Sequence, residues 1–105
     1  MIVIVIKEPV EFEWDKGNIG KNQKRHGVNE KEAEEPFFDN KKKTFKDYLH
    51  SGKEERFRII GKTKRGRLLF AAFTIRKGLV RIISVRNVNR KEVQLYEEKT
   101  SVAKV

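Results

Sequence analysis

Arginine recurs through the second half of the chain, in segments with the alternation of β-strands. Arg56 and Arg58 share one face of their predicted strand. Arg67 and Arg76 stand at the two ends of the next strand, and Arg81 lies within an apolar stretch. An arginine among apolar neighbours needs an anion or a carboxylate, because an unpaired charge is costly to bury. The guanidinium is a rigid fork that matches phosphate oxygens. The pattern predicts bidentate phosphate contacts on a sheet, with pairing to nearby glutamates as the alternative for each arginine.

The two histidines are candidates for proton transfer. His26 follows Lys24 and Arg25 and is a candidate general acid or base beside a phosphate, or else an ordinary residue at a helix C-terminus. His50 stands in a polar loop and is a proton-transfer candidate on its residue type alone. The two lie far apart in no metal-binding spacing, and the chain has no cysteine. We therefore predict no metal and no cofactor.

These residue types suffice for the cleavage of RNA without a metal. The reaction needs an activated 2′-hydroxyl, a proton for the leaving oxygen and cations around the phosphorane. Arg, Lys, His, Glu and Tyr supply all three functions, and the basic half of the chain contains these types. The composition suits a small ribonuclease and equally a non-catalytic RNA-binding module. A third interpretation is that the basic face binds an acidic protein partner.

The positive charge is confined to the second half of the chain. The sequence has 105 residues, with 25 Lys and Arg against 15 Asp and Glu, a formal net charge of +10. Residues 1–50 carry ten of each sign, so the whole excess follows His50. A directed positive surface predicts an anionic partner, and nucleic acid comes before a membrane because no basic helix with a broad apolar face is visible. Without cysteine or a long apolar run, we expect one cytoplasmic domain over residues 1–105.

The elements that must position these side chains form an α+β pattern. Residues 56–62, 67–75 and 79–85 predict an antiparallel meander with Gly66 and Gly78 at its turns, and residues 44–49 predict a short further strand. The middle strand is apolar on both faces, which predicts a central strand covered on both sides. Strict alternation in the last strand predicts two faces: Arg81, Ile83 and Val85 on one, and Ile82, Ser84 and Arg86 on the other.

The remaining segments predict further strands and three helices. Residues 2–6 and 10–14 have strand patterns, and a helix is expected over residues 15–25 with Gly27 in the left-handed position after it. A second helix begins at a capping box of Asn29 and Glu32 and is shortened or bent by Pro36. A similar box at Asn89 begins a helix to about residue 98. We therefore predict an antiparallel sheet of about four strands with two N-terminal helices and a C-terminal helix.

Several short motifs follow one another in order from about residue 11 to residue 98. They are Phe12-Glu13-Trp14-Asp15, Asn22, Lys24-Arg25-His26-Gly27-Val28, Glu32-Ala33, Glu55-Arg56, Ile60-Gly61, Gly66-Arg67, Thr74, Arg76, Arg81-Ile82-Ile83-Ser84-Val85-Arg86, Glu92 and Tyr96. In this order they resemble the BrnT toxin family of bacterial type II toxin-antitoxin systems.

The resemblance implies a RelE-like fold and a metal-independent endoribonuclease that arrests growth by cutting RNA. Its implied partner is a BrnA-like antitoxin of the ribbon-helix-helix class, encoded beside it, and operator DNA is reached only through the antitoxin complex. A degenerate toxin that acts only through its protein partner is the alternative. The implied site residues are Arg67, Arg81 and Arg86 on the scissile phosphate, His26 or Glu55 as base, and Tyr96 as a phosphate or proton partner. Lys24, Arg25, Arg56 and Arg76 are predicted to bind RNA around this site.

Overall fold

The computed structural model describes residues 6–8 and 10–98, which build a four-stranded antiparallel sheet in the order β1-β2-β3-β4. The strands are β1 (Lys43–Lys46), β2 (Arg56–Lys62), β3 (Leu68–Arg76) and β4 (Leu79–Asn87). The helices are α1 (Lys21–His26), α2 (Glu30–Glu34), a short 3₁₀ helix (Glu35–Phe38) and α3 (Arg90–Glu97). The predicted α+β class and the meander are confirmed. The predicted strand at residues 2–6 lies outside the described residues except for Ile6, which is buried.

The inner face of the sheet holds the main hydrophobic core. Leu69, Ala71 and Phe73 of β3 point to this face and are almost completely buried. The 3₁₀ helix places Phe37 against them, with its ring centroid 5.0 Å from that of Phe73 in an edge-to-face contact. Val28 before α2 is also fully buried in this cluster. Each such side chain stabilises the fold by about 1.5–3 kcal/mol through the apolar area it removes from water.

The outer face of the sheet is only partly covered. Ile60 of β2 points to this face and is fully buried at the end where α3 packs on β2. Further along β3, Phe70 and Ala72 are only half-buried. The prediction that β3 is covered on both sides is therefore wrong for part of its length, because α3 has only eight residues and spans one end of the sheet.

A β-bulge in β4 corrects the predicted faces of that strand. Ala72 pairs with Ser84 while Phe73 pairs with Ile82, so Ile83 is the extra residue. After the bulge the alternation shifts by one, and Val85 joins Ile82 in the buried core. The strict alternation assumed for this strand was wrong, and the outer face instead carries Arg81, Ser84 and Arg86.

The segment before α1 runs along the free edge of β4. The strand predicted at residues 10–14 forms only one parallel bridge, between Phe12 and Val80. The Glu13 N–H donates to the Val80 carbonyl at 2.9 Å, and the Val80 N–H donates to the Glu11 carbonyl at 2.8 Å. The alternation predicted the burial correctly, since Val10, Phe12 and Trp14 all pack against the core. Covering the edge of β4 removes an exposed strand edge.

The first helix is shorter than predicted because Asn18, in the segment before it, bonds to β4 and lies in a turn. The Asn18 amide donates to the Ile82 carbonyl at 3.1 Å and is buried in a turn. The Asn22 side-chain oxygen accepts from the Val85 N–H at 2.9 Å. Gly20, with φ of 77°, separates this turn from α1, which begins only at Lys21. Gly27 takes the predicted left-handed position, with φ of 64°.

The other helix ends follow their local sequence. Asn29 accepts the Glu32 N–H at 2.8 Å, and Pro36 lies in the 3₁₀ helix that ends α2. Asn89 and Glu92 form the complete capping box of α3. The predicted strand at residues 44–49 is β1, which stops at Lys46 because residues 48–50 form a turn. None of the helices in the described part of the chain is long and apolar enough to cross a membrane.

Candidate active site

The uncovered part of the outer face is a cleft of about 350 Å³. Its floor is formed by β2, β3 and β4, and its walls by the β1–β2 turn and the first turn of α3. The residues that line it are Asp47, His50, Arg56, Arg58, Phe70, Ala72, Ile83, Ser84, Arg86 and Glu92. Three arginines and a histidine therefore face one open surface together with two carboxylates.

Arg58 of β2 lies on the cleft floor without a hydrogen-bonded acceptor. Its guanidinium carbon lies 4.6 Å from the ring centroid of Phe45, the residue that pairs with it across β1 and β2. Its Nε is buried and makes no hydrogen bond. Arg56 lies two residues earlier on the same face. Its backbone N–H and carbonyl are bonded, but its side chain makes no hydrogen bond or ion pair with any residue that the structure describes. The Arg56 guanidinium and the terminal N–H groups of Arg58 are therefore available to an incoming anion, whereas the buried Arg58 Nε is not.

Arg86 is held differently, by a carboxylate at the wall of the cleft. It donates to the two oxygens of Glu92 at 2.7 and 2.8 Å and stacks on the Phe70 ring, 4.2 Å from the centroid. Burial alone raises the pKa of Glu92, but the Arg86 hydrogen bonds, the Asn89 N–H and the charge of Arg58 together lower it. The Glu92 hydrogen bonds in turn raise the pKa of Arg86. This pair fixes α3 to β4 and bounds the cleft.

His50 and Asp47 form a hydrogen-bonded pair at the opposite wall. The His50 Nδ1 lies 2.9 Å from Asp47 Oδ2. The Asp47 side chain is 8% exposed, whereas the His50 side chain is 65% exposed. Burial alone raises the pKa of Asp47, but the hydrogen bonds from His50 and the charge of Arg58 lower it below its ordinary value. Asp47 is therefore an ionised acceptor that orients the imidazole.

Arg67, predicted to hold a phosphate, ties α1 to the sheet. Its guanidinium donates to the His26 carbonyl at 2.9 Å and to the Gly27 carbonyl at 3.2 Å, at the C-terminus of α1. It also donates to Glu32 at 3.1 Å and to Asn87 at 2.8 Å. With these four acceptors, Arg67 has few donors left for a ligand, and it does not line the cleft.

Arg81 and Arg76 are also paired with carboxylates, at the far end of the sheet. Arg81 donates to both oxygens of Asp15 at 2.8 Å and to Glu13 at 3.0 Å, and its side chain is 12% exposed. The hydrogen bonds with Asp15 raise the pKa of Arg81 and lower that of the carboxyl. Arg76 donates to Glu54 at 2.6 and 3.3 Å. Neither side chain lines the cleft.

The predicted bases lie outside the cleft as well. His26 is exposed at the end of α1, beside the exposed Lys24 and Arg25. Glu55 precedes β2 and alternates with Arg56, so it points away from the outer face, and it lies 3.5 Å from the Lys46 ammonium. Of the predicted site residues, only Arg56 and Arg86 line the cleft.

Tyr96 belongs to a second groove, next to the end of α3. Its hydroxyl donates to Asp39 at 2.6 Å, and burial together with this bond raises the pKa of Tyr96 to about 12. A phenol held protonated by a carboxylate is a poor proton-transfer group near neutral pH. The groove has a volume of about 680 Å³ and is lined by Tyr96, Asn40, Lys41, Lys42, Lys43, Lys62, Leu68, Glu97 and Glu98.

The sequence alone did not select Asp47, it named Arg58 only as one of several strand arginines, and it offered His50 only by residue type. A local signal was present, since Asp47 precedes His50 by three residues in a polar turn. The arginines that share the cleft with Asp47 and His50 come from β2 and β4. They lie on the same surface only because of the register in which these strands pair with β3. In the described ranges 6–8 and 10–98, no group of three or more His, Asp or Glu residues is arranged to hold a metal ion.

The sequence of the chain matches that of a known protein family. The sequence model of the BrnT ribonuclease toxins of type II toxin-antitoxin systems matches residues 14–92. The chain belongs to the BrnT family. The resemblance inferred from the motifs is thereby confirmed, and every residue that lines the cleft lies within the matched BrnT segment. A search of curated proteins found no match to the chain.

Proposed function

We propose that this BrnT-family protein is a metal-independent endoribonuclease and that it cuts RNA in the outer-face cleft. One observation supports the location of the active site in this cleft. Arg56 and Arg58 face this open surface without a hydrogen-bonded carboxylate, whereas Arg67, Arg81 and Arg76, which lie outside it, each donate to an acidic side chain. Family membership supplies the class of reaction, and the unpaired arginines supply the place for an anionic substrate.

The proposed reaction is an internal transfer within the RNA. The 2′-oxygen bonds to phosphorus, the bond from phosphorus to the 5′-oxygen breaks, and the products are a 2′,3′-cyclic phosphate and a free 5′-hydroxyl. Negative charge builds on the non-bridging oxygens as the phosphorane forms. Arg58 and Arg56 lie on the cleft floor where they can donate to these oxygens, and the guanidinium of Arg86 adds positive charge at the wall. In this scheme no metal is needed to stabilise the phosphorane.

The predicted residues outside the cleft receive other roles in this proposal. Arg67 and Arg81 hold α1 and the segment before it against the sheet. Lys24, Arg25 and His26 form an exposed basic surface on α1, which can contact RNA beyond the cleft. Removal of these residues would then weaken binding or folding without removing the chemistry of the cleft.

We also propose a cellular role, on the basis of the type II toxin-antitoxin family. The protein acts in the cytoplasm as a growth-arresting toxin with a RelE-like sheet. A BrnA-like ribbon-helix-helix antitoxin encoded beside it neutralises it, and operator DNA is contacted through the antitoxin complex. Family membership supports the existence of an antitoxin. The class of antitoxin and the operator contact rest on the resemblance alone.

The cleavage of RNA in EDTA tests the proposed chemistry. Purified protein is incubated with a labelled RNA and with the same strand carrying a 2′-deoxy sugar at the cleaved position. We expect a cyclic phosphate product from the RNA and none from the modified strand, because the 2′-hydroxyl is the nucleophile. Salt-sensitive binding of RNA without any product would favour the alternative, a non-catalytic RNA-binding module or degenerate toxin.

Induced expression in a bacterial host tests the cellular role. We expect growth arrest on expression of the chain and recovery when the adjacent gene is expressed with it. A neighbouring gene without a ribbon-helix-helix pattern that still restores growth would contradict the proposed class of antitoxin. Normal growth at a high level of folded protein would contradict the toxin role itself.

A further inference from the structure

The β1–β2 turn presents a histidine and a buried carboxylate to the same cleft as the unpaired arginines. We propose that His50 is the general base that takes the proton from the 2′-hydroxyl of RNA, with Asp47 as its positioning residue. This inference rests on the proposed function and assigns a proton-transfer group to it.

The hydrogen bond between the two side chains decides which imidazole nitrogen is available. An ionised carboxylate only accepts hydrogen bonds, so the proton of the neutral imidazole resides on Nδ1, 2.9 Å from Asp47. The Nε2 atom then carries the lone pair. His50 lines the cleft and its side chain is 65% exposed, so this lone pair is accessible to a substrate hydroxyl.

The turn that holds this pair is tied to β2. The Asp47 N–H donates to the Arg56 carbonyl at 2.8 Å. The Ser51 hydroxyl donates to the Asp47 carbonyl at 2.7 Å and accepts the Arg56 N–H at 3.0 Å. The His50 N–H also donates to Asp47 Oδ1 at 3.3 Å. These bonds fix the imidazole relative to Arg56, which is one of the proposed phosphate ligands.

The charges around His50 suit a general base. As a base, the imidazole becomes a cation in the transition state, and the buried Asp47 carboxylate stabilises that cation most strongly at that moment. Arg56 and Arg58 of β2 and Arg86 of β4 oppose a further cation, while Glu92 of α3 favours it. The bound phosphate adds negative charge that offsets the arginines.

Each proton in this step has a defined destination. The 2′-hydroxyl proton moves to His50 Nε2 as the 2′-oxygen bonds to phosphorus. The leaving 5′-oxygen takes a proton from water. After product release, His50 loses its proton to solvent and the neutral base returns.

The test is single-turnover cleavage of RNA in EDTA from about pH 5 to pH 9, the range in which an imidazole changes its protonation. We expect His50→Gln to lower the rate about 100-fold or more and to remove the increase in rate with pH that titration of the base produces. His50→Ala should be inactive and partly restored by added imidazole. Asp47→Asn should lower the rate while leaving a weaker pH dependence. Lys53→Gln, an exposed side chain in the same loop, is the control and should match the wild type.

Folding and binding are measured on the same variants. His50→Gln should keep the melting temperature and the affinity for a 2′-deoxy strand, which binds but cannot react. A His50→Gln variant with the rate and pH profile of the wild type would overturn the inference and leave the proposed function intact. If His26→Gln, and not His50→Gln, removed the increase in rate with pH, that result would also overturn the assignment of His50 as the base. A wild-type protein that cuts no RNA would overturn the proposed function and this inference with it.

Discussion

Two groups of arginines on one sheet differ in what occupies their donors. In the cleft, Arg58 stacks on Phe45 with a buried Nε that has no hydrogen-bond acceptor. At the edges, Arg67 and Arg81 each have at least two protein acceptors, including carboxylates. The edge arginines connect segments that are distant in the chain, whereas the cleft arginines lie on a surface that remains open.

The comparison shows that the type of side chain does not by itself identify an anion site. The motifs that resemble the BrnT family include arginines of both groups. What separates Arg56 and Arg58 from Arg67 and Arg81 is the absence of a carboxylate within hydrogen-bond distance, since a satisfied guanidinium must give up a partner before it can bind a phosphate. Arg86 has both features, because it lines the cleft and donates to Glu92. The following predictions test this distinction through stability and binding.

The largest effect on stability is expected for Arg67→Ala. This change removes four hydrogen bonds that join α1, Glu32 and β4, and should lower the free energy of unfolding by about 2–4 kcal/mol because charged hydrogen bonds are among the strongest in proteins. Arg58→Ala removes no hydrogen bond and should cost about 1 kcal/mol at most, through lost stacking on Phe45. Urea denaturation of both variants measures the difference, and similar losses would contradict the division into two groups.

An exposed aromatic beside the cleft should contribute to RNA affinity. Tyr48 is 66% exposed and lies in the turn between two residues that line the cleft. Tyr48→Ala should weaken the binding of a 2′-deoxy strand by about 1–3 kcal/mol if a base stacks on its ring. Phe38→Ala is the matched control, because Phe38 is 60% exposed but packs beside Phe12 and not in the cleft. Equal affinities of the two variants in fluorescence titrations would exclude stacking on Tyr48.

Low pH should weaken the Arg86–Glu92 pair at the wall of the cleft. The pKa of Glu92 is lowered in the fold from its ordinary value of 4.5, so its contribution is complete above that value and is lost as the pH falls through the lowered pKa. Glu92→Gln should lower the free energy of unfolding by about 1–2 kcal/mol at neutral pH. This is the contribution of a charged hydrogen bond, reduced because Arg86 is partly exposed to solvent. Thermal melts of the variant should also depend less on pH below about pH 5. An unchanged dependence would show that Glu92 is not held by Arg86.

The smallest predicted effect concerns the response of binding to salt. Arg56→Gln should reduce the slope of log affinity against log salt by about 0.7, the value for one phosphate contact on a single strand. Arg76→Gln should leave the slope unchanged, because Arg76 donates to Glu54. Equal slopes for both variants would place the phosphate contacts elsewhere.

Much of the sheet could be predicted from local sequence. β2 begins and ends where alternation predicted, and α3 begins at its capping box. The extra residue Ile83 in β4 was not predictable, since a bulge depends on how β3 and β4 fit together. The length of α1 was overestimated because Asn18, in the turn before it, bonds to a strand more than 60 residues away.

The roles of the arginines depend on even longer separations. Arg67 and Glu32 are 35 residues apart, and Arg81 and Asp15 are 66 residues apart. No local pattern shows that these carboxylates reach these guanidinium groups. The Asp47–His50 spacing is local, but its significance arises from Arg56 and Arg58, which the sheet brings to the same surface.

The rate of RNA cleavage by Arg58→Ala, compared with Arg76→Ala, tests the central claim most directly. Single-turnover assays in EDTA at saturating protein isolate the chemical step, and urea denaturation confirms that both variants are folded. We predict a loss of about 100-fold or more for Arg58→Ala, because a preorganised donor to the phosphorane is removed, and a wild-type rate for Arg76→Ala. Cleavage by Arg58→Ala at the wild-type rate, or an equal loss in Arg76→Ala, would contradict the assignment of the active site to the cleft.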